Sequence, residues 1–132
     1  MDNPVAGEVL KLNQKLLESI ANSDWDVYQQ LCDPGLTAFE PEAHGQLVEG
    51  LEFHRFYFNL RGVKNQHNTT ICAPNVRVIG DVAIVACVRL NQRVSADGVT
   101  PHESAYEETR VWQRKNGQWK HIHFHRSPVG GT

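Results

Sequence analysis

The chain has 132 residues, 40% hydrophobic and 21% charged, a balance that suits a folded domain and excludes intrinsic disorder. Thirteen Lys and Arg against fifteen Asp and Glu leave a net charge of −2, which argues against nucleic-acid binding by bulk electrostatic attraction. No apolar run approaches the roughly 20 residues of a membrane span, and the opening MDNPVAGEVLKLNQ lacks the basic start and apolar run of a signal peptide. Cys32, Cys72 and Cys87 are odd in number and sit in apolar segments, so they read as reduced thiols and not as a disulfide framework. The expectation is a single cytoplasmic domain over residues 1–132, with no nucleic-acid and no membrane partner.

Val9, Leu12, Leu16 and Ile20 recur at helical spacing, with Leu10 and Leu17 widening the stripe and Lys11, Gln14, Lys15 and Glu18 opposite. Asn22-Ser23-Asp24 breaks the run, and Asp24 caps a predicted second helix ending at Leu31, with Trp25, Tyr28 and Leu31 as its apolar side. Asp33-Pro34-Gly35 predicts a stop and turn, Leu36–Phe39 a brief strand, and Pro41 its end. LEFHRFYFNL predicts a third helix, with Phe53, Tyr57 and Leu60 on one face and His54 and Phe58 on an adjacent one. From Thr69 onward the pattern is that of strands, punctuated by Gly80-Asp81, Ala96-Asp97-Gly98 and Asn116-Gly117, the last a strong hairpin signal. Helices first and a meander afterwards predict an α+β domain, its helices packed on one face of a curved antiparallel sheet.

The chemistry is signalled by arginines on apolar faces. Ala83, Val85, Cys87 and Arg89 alternate on one strand, Tyr106, Glu108, Arg110 and Trp112 on the next, and Ile122, Phe124 and Arg126 on the last. A buried guanidinium needs an anion or several acceptors, because an unpaired buried charge costs several kcal/mol. Pattern alone leaves three readings open. The arginines end their strands and snorkel to solvent, or they pair internally with Glu40 or Glu108, or they converge on an external carboxylate or phosphate. The first two are the commoner arrangements. His54, on the covering helix, adds a further donor to the third.

HIHFHR places His121, His123 and His125 on one predicted strand face. One strand cannot wrap three ligands around a tetrahedral ion, and no Cys-x-x-Cys or His-Glu-x-x-His pattern supplies the rest, so no metal is expected. The cysteines lack the surroundings of a nucleophile, and no glycine-rich phosphate loop is present, so no cofactor is expected either. Glu40, Glu107 and Glu108 are the candidates for a general base near His54, although no spacing demands one.

The strings CDPGLTAFEPEAHGQLVEGLEFHRFYF, EETRVW and HFHRS, in this order, closely resemble the association (hub) domain of calcium/calmodulin-dependent protein kinase II, over about Val9 to Ser127. The resemblance implies a cone-shaped fold of the nuclear transport factor 2 and SnoaL type. It also implies two stacked homomeric rings, typically dodecamers or tetradecamers, that hold kinase domains together without catalysis. A deep polar cavity is implied too, its cationic residues carried over to His54 in FHRFYF, Arg89 in CVRL, Arg110 in EETRVW and Arg126 in HFHRS. In such cavities small carboxylic acids or a peptide segment of the kinase are accommodated, with Glu108 as an internal partner of the cations. Neither a kinase domain nor a calmodulin-binding segment is recognised, so the chain reads as an excised hub or a stand-alone homologue. NLRGVKNQHN is shorter than in the animal kinases, NQRVSADGVTPHES differs from them, and His121 has no counterpart there whereas His123 and His125 do.

The leading expectation is therefore a non-catalytic oligomerisation module whose partner is itself, with a kinase-domain or linker peptide and small carboxylates as further partners. The alternative is a SnoaL-like small-molecule enzyme of the isomerase or dehydratase type, which would need an unpaired carboxylate base in the cavity. A stand-alone binder of anionic metabolites is the third.

Overall fold

The computed structural model describes residues 3–60 and 67–130; residues 61–66 of the NLRGVKNQHN stretch lie outside them. Asn3 caps helix α1 (Pro4–Ala21), its side chain accepting from the backbone N–H of Val5 at 2.9 Å and of Ala6 at 3.3 Å. Pro4 begins the helix, where its missing N–H leaves nothing unpaired. The apolar stripe turns inward: Val9, Leu16 and Leu17 are buried, and Leu12 and Ile20 pack against them. Asn13 is buried in the same stripe because the Trp112 indole N–H donates to its Oδ1 at 3.0 Å. Asp24 caps α2 (Trp25–Leu31) by accepting from the Val27 N–H, and Tyr28 and Leu31 are its buried side.

Strand β1 runs over Cys32–Phe39, longer than expected. The predicted stop at Asp33-Pro34-Gly35 is an irregularity inside it, where pairing with the last strand shifts register between Cys32 and Thr37. Asp33 Oδ2 accepts the Gly35 N–H at 2.8 Å, a local turn in place of a ladder bond that Pro34 cannot donate. A single 3₁₀ turn (Pro41–Ala43) follows; His44 and Gly45, at φ 50° and 86°, reverse the chain into β2 (Val48–Glu49).

Helix α3 (Glu52–Asn59) buries His54 and Phe58. This corrects the predicted Phe53–Tyr57–Leu60 face: Tyr57 and Leu60 are exposed and Phe53 is half-buried. The decision is made on α2, where Trp25 and Tyr28 receive the Phe58 ring at centroid distances of 5.2 and 4.8 Å. Turning Phe58 inward brings His54, one helical turn earlier, onto the same side.

The meander follows as β3 (His67–Ile79), β4 (Val82–Val94), β5 (Pro101–Lys115) and β6 (Gln118–Pro128). Asn116 and Gly117 take φ of 52° and 77°, the pair of positive values that a tight β5–β6 hairpin requires. The strand order is β2-β1-β6-β5-β4-β3. All neighbours are antiparallel except β1 and β6, which run parallel, so the α+β class and the helices on the sheet stand but the sheet is mixed. No hairpin joins these two strands, and nothing in their sequences dictates an antiparallel sense. Between α1 and the sheet lies the core of Val9, Leu16, Tyr28, Leu36, Ala38, Ala83, Val85 and Trp112. No helix among the described residues is long and apolar enough to cross a membrane.

Packing on the two faces of α3 is directly testable. Trp112→Ala and Phe58→Ala should each cost about 3–5 kcal/mol. Phe53→Ala should cost about half as much, since Phe53 is only half-buried. Thermal unfolding of the three variants measures the order; a Phe53 loss as large as that of Phe58 would mean the wrong helical face has been placed inward.

Candidate functional site

Alternation carries Arg89 on β4, Glu108 and Arg110 on β5 and Arg126 on β6 to the inner face of the sheet, and all four are buried. Register aligns them: Arg89 faces Tyr106 across one seam, and Glu108 faces Arg126 across the next. α3 lowers His54 onto this patch from the other side. His54, Arg89, Arg110 and Arg126 line a cavity of about 520 Å³ whose remaining walls include Leu17, Tyr28, Phe58, Arg93 and Phe124. His54, Arg89, Arg110 and Arg126 thus share one space.

Glu40 and Glu42 share it with them, and Glu108 is buried behind its arginines. Glu108 lies between two guanidiniums, with Oε1 accepting from Arg110 Nε at 2.9 Å and Oε2 3.0 Å from Arg89 Nε. The Arg89 contact is off the N–H axis, so it is an ion pair without a directed hydrogen bond, and Arg89 Nε and Glu108 Oε2 both lack hydrogen-bond partners. Arg126 Nη2 lies 3.3 Å from Glu40 Oε1 and makes a closer contact to Glu42 Oε1. Glu40 Oε2 lies 2.5 Å from His54 Nε2, while the buried His54 Nδ1 has no partner. Aromatic faces complete the cationic seats: Arg110 sits 4.4 Å over Phe124 and Arg126 4.6 Å over Tyr106.

These pairings set the charges. Burial pushes the Glu108 carboxyl up, but Arg110 and Arg89 outweigh it and hold it below the usual carboxylate range. Burial likewise opposes ionisation of Glu42, and Arg126 overrides it. Burial draws Arg89 down to about 10 despite Glu108, which leaves it charged at neutral pH. Arg110 and Arg126 are raised above the ordinary arginine value, their carboxylates overcoming burial. Burial pushes the Cys87 thiol to about 11 and the Cys32 thiol to about 12, so neither is an anion near neutrality.

The histidine run departs from its predicted alternation. A bulge between β5 and β6 at Val111/Trp112 passes over Ile122 and turns His121 inward, beside Phe124, while His123 and His125 stay on the outer face. Ile122 therefore does not share the face of Phe124 and Arg126, and the three histidines do not share one either. His121 stacks on Phe124 at 5.7 Å, with its Nε2 3.5 Å from Arg110 Nη1 and its Nδ1 3.8 Å from Cys32 Sγ. His123 Nδ1 meets Thr37 Oγ1 at 2.7 Å, a structural role. Among the described residues no group of three His, Cys, Asp or Glu is placed to hold a metal ion. Glu42 and His121 are the residues of this cluster that the alternation of arginines does not reveal. Glu42 carries no local signal, but Tyr106 shares the Glu108–Arg110 face and was visible in it.

The fold and the site meet in the comparisons. The sequence model of the calcium/calmodulin dependent protein kinase II association domain matches residues 5–130. The chain belongs to this association-domain family. The Chlamydomonas reinhardtii CaMKII hub homology domain is 46% identical over 95% of this chain and 98% of its own, with a TM-score of 0.88. The C. elegans association domain is 46% identical over 92% and 93%, TM-score 0.85, and the S. rosetta hub 43% over 98% and 99%, TM-score 0.84. An NTF2-like superfamily protein from Salmonella enterica is 22% identical over 98% and 97%, with a TM-score of 0.77, and shares the fold alone.

His121 gives this hub-family chain a pH dependence of defined sign. Burial, and then Arg110, hold its imidazole well below the ordinary value, so the folded chain keeps it neutral. The unfolded chain takes up that proton below about pH 6.5, so stability falls as pH drops through that point. Denaturation between pH 7.5 and 5.5 should show this slope, and His121→Phe should flatten it; an unchanged slope would assign the dependence to another group.

Proposed function

We propose that this chain is a non-catalytic oligomerisation module that closes into a two-layered homomeric ring and carries a cavity for small carboxylates. Membership of the association-domain family over residues 5–130 is the observation that carries this reading. Stacked rings need two kinds of contact, one repeated around the ring and one between layers. Two apolar surfaces offer them. Val82, Ile84, Val88 and Leu90 line the side of β4 turned away from the core, half-buried, flanked by Ile79 and Val111. On α3, Phe56 and Leu60 are 60% and 64% exposed. Patches of this kind on a chain of near-zero net charge suit burial between copies. The three free thiols support a reducing compartment, the cytoplasm, and a kinase domain or its linker peptide is the heterologous partner in this reading.

Acid–base catalysis is the weaker reading, because every carboxylate in or behind the cavity is already committed to a cation: Glu108 to Arg89 and Arg110, Glu40 and Glu42 to Arg126. Guanidinium forks with open donors suit an anion better than they suit proton abstraction.

Light scattering behind size exclusion should give a mass well beyond a tetramer across the micromolar range. Ile84→Asp should lower that mass while leaving the fold intact, since its side chain is outside the core. A wild-type monomer or dimer would overturn the module reading. For the cavity, calorimetry with short hydroxy and keto acids should show weak binding and a raised Tm as occupancy grows. Arg89→Gln should weaken binding about tenfold, consistent with loss of a charge-assisted hydrogen bond. Lys11→Ala, on the exposed side of α1, should not. Absence of heat with every acid would leave the arginines as internal ion-pair partners alone.

A further inference from the structure

The sheet carries a second arrangement on the face turned away from the helices. Pairing sets six residues in one row across all six strands: Arg77 opposite Ile84, Ile84 opposite Val111, Val111 opposite His123, His123 opposite Thr37, and Thr37 opposite Glu49. The row begins on exposed Arg77 of β3 and ends on exposed Glu49 of β2, with the half-buried Ile84, Val111 and His123 between. A two-fold axis through its middle, between Val111 and His123, maps the row onto itself reversed. Arg77 of one copy then meets Glu49 of the other, Ile84 meets Thr37, and Val111 meets His123. The next row, Asn75, Ala86, Thr109, His125 and Phe39, adds a second imidazole and an aromatic ring. Unlike charges meet at the ends and apolar groups in the middle, so the face suits a second copy of this chain.

The two histidines sit in that face with no carboxylate opposite them. β5 sets Val111 and Thr109 against them, and β1 sets Thr37 and Phe39. The Thr37 hydroxyl bonds His123 Nδ1 at 2.7 Å, and the Phe39 ring lies 6.2 Å from the His123 ring and 5.7 Å from that of His125. The charged groups of the face stand elsewhere. Glu107 and Glu103 on β5 are opposite Ser127 and Gln92, Lys120 on β6 donates to the Gln30 carbonyl, and Asp33 on β1 is paired with Lys115. β4 contributes none between Val82 and Leu90. Already in the single chain, burial and then His125 hold His123 below the ordinary imidazole value. A second copy laid on the face removes more water from both rings, and the axis brings the two His123 side chains near each other. An imidazolium there is desolvated and faces its like.

We propose that the outer face of the sheet is a proton-gated contact between two copies of this chain, closed while His123 and His125 are neutral and opened when they take up protons. The inference rests on the oligomerisation reading given above and adds its regulation. Each imidazole takes one proton from solvent as the contact opens. Association is therefore complete above the imidazole value of the separated chains and is lost as pH falls through it. Two histidines per copy weaken the paired contact by up to about tenfold each per pH unit below about 6.5.

Sedimentation velocity on the full chain between about pH 7.5 and 5.5, at fixed ionic strength, tests this, with far-UV circular dichroism on the same samples to follow folding. The wild-type mass should fall with pH while the fold persists, and recover on return to pH 7.5. The double variant His123→Gln, His125→Gln, uncharged at both positions, should keep its mass at pH 5.5. His125→Gln alone, a change at an exposed side chain, should make the fall about half as steep, and it carries the test if the double variant does not assemble. His102→Gln, an exposed position opposite Arg93 on the cavity side of the sheet, should behave as wild type. A large wild-type mass that does not change down to pH 5.5 overturns the gate and leaves the oligomerisation module standing. A fall as steep in the His125 variant as in wild type also overturns it, by assigning the protons to other groups. A wild-type monomer at every pH overturns the module reading and the gate together.

Discussion

Glu108 is the residue on which the inner face of the sheet depends. Two guanidiniums, Arg89 and Arg110, project from adjacent strands into a space walled by hydrocarbon, and one carboxylate at the seam between them makes their coexistence possible. Removing either cation leaves the other pair intact; removing the carboxylate leaves two like charges facing each other in a poorly screened site. The polar cluster is thus arranged as a hub with Glu108 at the centre, while His54, Glu40, Arg126 and Glu42 form a second chain along its rim. Aromatic rings lie under the guanidiniums of Arg110 and Arg126, adding a cation–π contact to each ion pair.

A shared fold does not by itself carry a shared chemistry. A cone of helices over a sheet provides a pocket, and the pocket's use is decided by which side chains the strands present. A free carboxylate in such a pocket abstracts protons; one fastened to arginine is a poor base and serves as a counter-charge. The likeness to the NTF2-like protein from Salmonella enterica, at 22% identity, speaks for the frame and not for the side chains it presents.

Much of the fold and of the site is legible in the residues themselves. Strand alternation places Arg89, Arg110 and Arg126 on apolar faces, helical spacing gives α1 and α2 their stripes, and Asp24 and Asn116-Gly117 mark a cap and a turn by their chemistry. Each of these is local, decided within a few residues. What escapes a reading of the chain is set by distant partners. The α3 face is chosen by Trp25 and Tyr28, and the sense of β1 by pairing with β6. His121 turns inward because a bulge inserts one residue into an otherwise regular alternation, which no periodicity reports. Glu42 reaches Arg126 through a turn whose direction depends on His44 and Gly45 adopting positive φ.

The parallel seam between β1 and β6 also orders events in time. Thr37 and His123 meet across 86 residues of chain, whereas β3 to β6 zip through successive hairpins. Closing the long span is the entropically expensive step, so the meander has reason to form first and the N-terminal segment to dock onto it afterwards. During synthesis the order is inverted: α1, α2 and β1 emerge early and have no β6 edge to join until the ribosome has delivered residues 118–128. The pocket, which needs Glu40 from one side of that seam and Arg126 from the other, is among the last features of the molecule to come into being.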